Sequence, residues 1–126
     1  DRFHFTGFLR GEDVHKMFQL SDVYVMPSVS EPFGISPLEA MRSNVPVIIS
    51  KQSGVAEVLD YAVKVDYWDV DALADAIFAL IEYPALGKMF ASKGLEEVTN
   101  LKWNDAAAKI KTVYEAAIEE NQKKTK

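Results

Sequence analysis

The 126-residue chain has no cysteine and only two histidines, His4 and His15. Without thiols there are no disulfides, zinc–thiolate sites or cysteine nucleophiles. Two histidines alone do not build a multi-histidine metal site. No apolar run approaches the ~20 residues of a membrane-spanning helix. The opening Asp1-Arg2-Phe3-His4-Phe5 also lacks the basic segment and apolar stretch of a signal peptide. A cytoplasmic protein with no membrane span is the expectation. Positive charge is scarce as well: 14 Lys and Arg against 19 Asp and Glu give a net charge of −5. Duplex nucleic acid is therefore not the expected partner, because phosphate binding needs clustered Lys and Arg. The remaining composition, 48% apolar and 26% charged, is that of a globular chain rather than a disordered or fibrous one.

The length suits a single domain, and no repeat, low-complexity linker or composition break divides it. We expect the domain over residues 1–120 and a solvated tail over 121–126. The first residue is not Met and a strand-like pattern begins at once, so a piece of a longer protein is expected. Short apolar or β-branched runs at 3–6, 23–26, 45–49 and 62–65 read as strands. Helical periodicity appears over 10–20, from Pro37 onward, and over 70–82, 86–98 and 103–119. Strands that are continuous apolar runs separated by helices predict a parallel sheet covered on both faces. The expected fold class is α/β, a three-layer α/β/α sandwich with a parallel sheet of about four strands.

Ligands of open parallel sheets sit beyond the carboxyl ends of the strands. The segment after the 23–26 strand runs Pro27-Ser28-Val29-Ser30-Glu31-Pro32-Phe33-Gly34-Ile35-Ser36-Pro37-Leu38-Glu39. Ser36 suits a helix N-cap, Pro37 the first helical position and Glu39 the third, which together read as a capping box. Gly34 lets the backbone approach a ligand or adopt positive φ. A glycine turn entering a helix N-terminus offers free N–H groups and a positive dipole end, the physical recipe for holding a phosphate. Taken singly, Glu39 has a plain structural use in the capping box, and Glu31 one as a solvated loop carboxylate.

The whole segment Ser30-Glu31-Pro32-Phe33-Gly34-Ile35-Ser36-Pro37-Leu38-Glu39-Ala40-Met41 resembles the E-x7-E signature of retaining, nucleotide-sugar-dependent glycosyltransferases of the GT-B fold, family 4. The resemblance extends over nearly the whole chain. Phe5-Thr6-Gly7-Phe8, Ser21-Asp22-Val23-Tyr24-Val25-Met26-Pro27-Ser28, Val45-Pro46-Val47-Ile48 and Ser53-Gly54-Val55-Ala56-Glu57 are similar to successive family segments. It implies a Rossmann-like sheet in part of a GT-B C-terminal domain. It also implies that Glu31 orients the donor sugar while Glu39 binds the ribose hydroxyls of the nucleotide. Phe33 and the backbone around Gly34, Ile35 and Ser36 would meet the diphosphate and sugar, with Gly7 and Arg10 flanking the base. No metal and no cofactor beyond the nucleotide-diphosphate sugar donor are implied. Two departures stand out: Asn44 replaces a glycine before the 45–49 strand, and Ser53 replaces the first of a glycine pair. The family's diphosphate-neutralising Arg and Lys, and its acceptor-binding N-terminal domain, have no counterpart in this chain. Alone it is expected to be catalytically silent and to self-associate through an open sheet edge.

Other motifs carry less. Asp69-Val70-Asp71 has the D-x-D form of a metal site, but Asp69 stands where a helix N-cap belongs. His15 lies mid-helix with no partner at ligand spacing, and Trp68 and Trp103 read as packing anchors rather than sugar platforms. A phospho-receiver would need an Asp at a central strand end, where this chain has Pro27-Ser28 and Ser50-Lys51. Two classes remain: the donor half of a glycosyltransferase, or a non-catalytic nucleotide-binding or interaction domain of the same fold.

Overall fold

A computed structural model describes residues 3–5, 7, 11–27, 35–101 and 115–121. The elements run α1 (Glu12–Leu20), β1 (Tyr24–Met26), α2 (Ile35–Arg42), β2 (Val47–Ser50), a 3-10 turn (Gly54–Glu57), β3 (Val63–Val65), α3 (Val70–Glu82) and α4 (Pro84–Thr99). The three strands form one parallel sheet in the order β1-β2-β3. Tyr24 is opposite Val47, and Ser50 is opposite Val65. The α/β class is as expected, with three strands rather than about four among the described residues. Phe3–Phe5, the first expected strand, is irregular, and Phe3 and Phe5 are 87% and 100% exposed. A strand needs a hydrogen-bonding neighbour, and these residues pair with no described strand. Residues 115–121 are helical, while 102–114, with Trp103, lie outside the described residues.

Strand alternation divides the core. Val47 and Ile49 point to one face of the sheet, with Tyr24 and Met26, where Leu38 and Met41 of α2, Val55 of the 3-10 turn, Leu59 just after it and Val98 of α4 cover them. Ile48 and Val65 point to the other, against Leu73, Ile77 and Leu80 of α3 and Leu86 and Phe90 of α4. All four residues of β2 are buried, so it is the central strand in burial as well as in order. Helix α4 also ties the layers together by polar contacts. The Glu97 carboxylate accepts from the backbone N–H of Asp60 at 2.7 Å and of Tyr61 at 3.0 Å, fixing the turn that feeds β3.

Two helix ends bear on the site. Helix α2 begins at Ile35, so Ser36 is a first-turn helical residue and not the N-cap the sequence suggests. Pro37 fits there because first-turn N–H groups have no intrahelical acceptor to lose. At its other end Asn44 has φ 63°. The Asn44 N–H donates to the Met41 carbonyl and the Val45 N–H to the Ala40 carbonyl, both at 3.1 Å, a Schellman arrangement. Asparagine tolerates this left-handed conformation, so the departure from glycine preserves the turn.

Two predictions follow from these contacts. Because Ser36 is exposed and lies inside the helix, Ser36→Ala should change unfolding free energy in urea by less than about 0.5 kcal/mol. A loss near 1 kcal/mol would restore the cap. Gly87 and Gly94 should respond in opposite ways to alanine. A Cβ on Gly87 would lie 2.7 Å from the Leu80 carbonyl oxygen, an unyielding backbone atom, so Gly87→Ala should lower the melting temperature. On Gly94 it meets the movable Met41 Cε at 3.0 Å, so Gly94→Ala should be neutral or stabilising as helix propensity improves by up to about 1 kcal/mol.

Candidate functional site

Parallel pairing sends all three strands out at the same edge. Beyond β1 comes Pro27, and the chain re-enters at α2. Beyond β2 come Lys51, Gln52 and Ser53 before the 3-10 turn, and beyond β3 come Asp66, Tyr67, Trp68 and Asp69 before α3. Each connection delivers the chain into a helical start, so helix N-termini gather along this edge.

Glu31, Phe33, Gly34 and Arg10 lie outside the described residues, and Ile35 is the first residue of α2. Pro37, Leu38, Ala40 and Met41 are buried, whereas Ser36 and Glu39 are exposed. A spacing of three puts Ser36 and Glu39 on one side of the helix, with the buried residues gripping the other. Since Ser36 is not a cap, Glu39 is not engaged in a capping box. Its carbonyl accepts from the Ser43 N–H and hydroxyl at 3.1 and 3.0 Å, and its carboxylate has no partner among the described residues. Gly7 has φ 68° with open space where a Cβ would stand, so conformation rather than crowding selects glycine.

Sequence reading missed the polar bracket joining the second and third connections. The Gln52 amide donates to Asp66 Oδ1 at 2.9 Å, and its oxygen accepts from the Tyr67 N–H at 3.1 Å. Lys51 Nζ lies 3.7 Å from Asp66 Oδ2, and its N–H donates to the Val65 carbonyl at 2.8 Å. Fourteen positions separate Gln52 from Asp66, and only the β2–β3 register brings them together. Ser53 is extended, with φ −76°, and its buried hydroxyl donates to the Ser50 carbonyl at 2.9 Å. A side chain therefore fits where the family has glycine, and it ties the loop down.

Trp68 is not a packing anchor. It is 62% exposed and stands edge-on to Tyr67, ring centroids 4.9 Å apart. Asp69 caps α3, its carboxylate accepting from the Ala72 N–H at 3.0 Å. No cluster of three His, Cys, Asp or Glu suited to a metal occurs among the described residues. His15 is exposed, 3.2 Å from the Gln19 amide nitrogen. No described helix is long and apolar enough to cross a membrane.

Comparison with known proteins bears on the family and the fold. The family model for glycosyl transferases group 1 matches residues 1–97. The chain is 30% identical over 120 residues to an uncharacterized glycosyltransferase of Methanocaldococcus jannaschii, covering 91% of this chain and 30% of that protein. It is 31% identical over 121 residues to the sulfoquinovosyl transferase of Arabidopsis thaliana, covering 90% and 24%. Among solved structures it is similar to a sucrose-phosphate synthase of Thermosynechococcus elongatus, with TM-score 0.72 and 30% identity over 92% of this chain and 30% of that one. It also shares its fold with the Anabaena protein HepE, solved with UDP-glucose, at TM-score 0.66, 20% identity and coverage of 82% and 30%. The chain thus spans less than a third of the length of these relatives. A parallel α/β sheet and a family model spanning most of the sequence lead to one assignment: the chain belongs to the glycosyl transferases group 1 family.

Proposed function

We propose that the chain is the donor-binding part of a retaining, nucleotide-sugar-dependent glycosyltransferase of family 4. The observation that carries this reading is the placement of Glu39. Its carboxylate is exposed and unengaged among the described residues, on a helix gripped from behind, at the edge where parallel sheets bind ligands. A carboxylate accepts from two neighbouring hydroxyls at once, which suits a ribose. Glu31 orients the donor sugar, Phe33 and Gly34 shape the approach, and the first-turn N–H groups of Ile35 and Ser36 meet the diphosphate. Gly7 and Arg10 flank the base. As the glycosyl bond breaks, negative charge builds on the leaving diphosphate, and preoriented N–H donors stabilise it there without reorganising. Residues 1–120 form the donor domain in this reading and 121–126 its tail, and an acceptor-binding domain N-terminal to it completes the cleft. UDP is the first nucleotide to test, since a structural neighbour was solved with UDP-glucose.

Alone, the chain should be catalytically silent and bind nucleotide weakly. Its net charge is −5, and Lys51, a cation on the described part of the edge, is already beside Asp66. Two lost charge-assisted bonds, each contributing about 1.5–3 kcal/mol, weaken diphosphate binding by roughly a hundredfold or more.

Calorimetry with UDP, GDP and ADP tests the binding. One nucleotide should bind weakly to the wild type, and Glu39→Ala should weaken it further. In a full-length parent, Glu39→Ala should raise the KM for the donor, whereas Glu31→Ala should mainly lower kcat. Equal small effects on both parameters would refute the division of labour, and glycosyl transfer by the 126-residue chain alone would refute its silence. Nucleotide binding by a full-length parent that transfers no sugar would favour a non-catalytic binding domain.

The reading also bears on association. Beyond its pairing with β2, β1 has no strand neighbour among the described residues, and an open edge is a template for another chain. Light scattering should show a concentration-dependent dimer, weakened by Val25→Pro at the centre of β1. A monomer at all concentrations would contradict it.

A further inference from the structure

Exposure of one aromatic ring is ordinary on a protein surface. Tyr67 and Trp68 differ in how they are mounted. The Tyr67 N–H is held by Gln52 at 3.1 Å, and Asp66 before it is held by the Gln52 amide at 2.9 Å. The Asp69 N–H donates back to the Asp66 carbonyl at 3.0 Å and the Val70 N–H to the Trp68 carbonyl at 3.2 Å. Asp69 is itself committed to capping α3. The backbone on both sides of the pair is thereby fixed, and the two rings meet at 83° with Tyr67 43% and Trp68 62% exposed. An aromatic side chain has only two χ angles, so a ring mounted this way loses little entropy when something lies against it.

The surroundings select the ligand. Lys51, Gln52, Asp66, Asp69 and Asp71 flank the pair in the chain or across the β2–β3 register, so charged and amide groups accompany the exposed apolar residues Tyr67, Trp68 and Val70, the last 72% exposed. Rings bordered by hydrogen-bonding groups complement a pyranose, which has an apolar C–H face rimmed by hydroxyls. The pair stands at the end of β3, two strands from the end of β1 where the chain leads toward the motif. At the spacing of neighbouring strands that is about 10 Å, a span that a short oligosaccharide bridges.

We propose that Tyr67 and Trp68 form a saccharide-stacking subsite on the carboxyl edge of the sheet, taking a sugar unit beyond the one transferred. Its choice of ligand class rests on the glycosyl-transfer reading above, but its stacking chemistry does not require nucleotide.

The test is an NMR titration of the 15N-labelled 126-residue chain with maltohexaose, cellohexaose and mannohexaose, and separately with UDP, GDP and ADP. The Trp68 indole N–H peak is identified by its loss in Trp68→Phe. At least one hexasaccharide should shift that peak saturably. Trp68→Ala should weaken the binding about tenfold or more, the scale of one aromatic contact, while Trp68→Phe keeps most of it. Gln52→Ala, which frees the loop without touching the rings, should weaken binding less than Trp68→Ala. Amide dispersion of each variant checks the fold. If none of the three hexasaccharides moves the Trp68 peak, or if it moves only with protein concentration, the inference is overturned. Saccharide binding with no amide or indole shift on adding UDP, GDP or ADP, even at millimolar concentration, would sink the donor-binding reading and leave the subsite standing.

Discussion

The structure depends on the double burial of β2. Its four residues are buried on both faces and hydrogen-bonded on both edges. A strand in that position accepts no polar side chain without a partner and no shift of register, because one step would exchange Ile48 for its neighbours between two differently shaped packing layers. With β2 fixed, parallel pairing fixes the direction of β1 and β3, and all three connections of interest emerge on one side. The functional edge is a by-product of the hydrophobic centre.

Helix α2 shows how that constraint reaches the chemistry. Leu38 and Met41 lock it to the sheet, and the Schellman turn at Asn44 and Val45 stops it where β2 must begin. The polar face at Ser36 and Glu39 then has no freedom to rotate inward. A carboxylate held in water by the packing of its neighbours keeps its hydrogen-bonding capacity available, whereas one folded back into a cap would have to break that bond before accepting another.

Much of this was legible in the sequence. Helix α3 is where its periodicity places it, and Asp69 caps it, because an amphipathic stripe and an Asx cap are local signals. What eluded sequence reading depended on partners distant in the chain. Residues 3–5 have strand-forming composition but pair with no strand among the described residues. The start of α2 shifted because Pro37 is compatible with more than one first-turn position. The Gln52–Asp66–Tyr67 bracket exists only through the register of β2 against β3. Trp68 was misjudged because a tryptophan's composition favours burial, while its position in a short loop between β3 and α3 leaves it no core to enter.

Glu97 has a consequence for the order of events during synthesis. The carboxylate that secures the N–H groups of Asp60 and Tyr61 is carried 36 residues or more further along the chain. On a ribosome, β3 and the turn before it emerge well before the group that holds them, and α4 must clear the exit tunnel before that turn is secured. The sheet's last strand therefore waits on a later helix, and a nascent chain halted between them would present β2 with one side open.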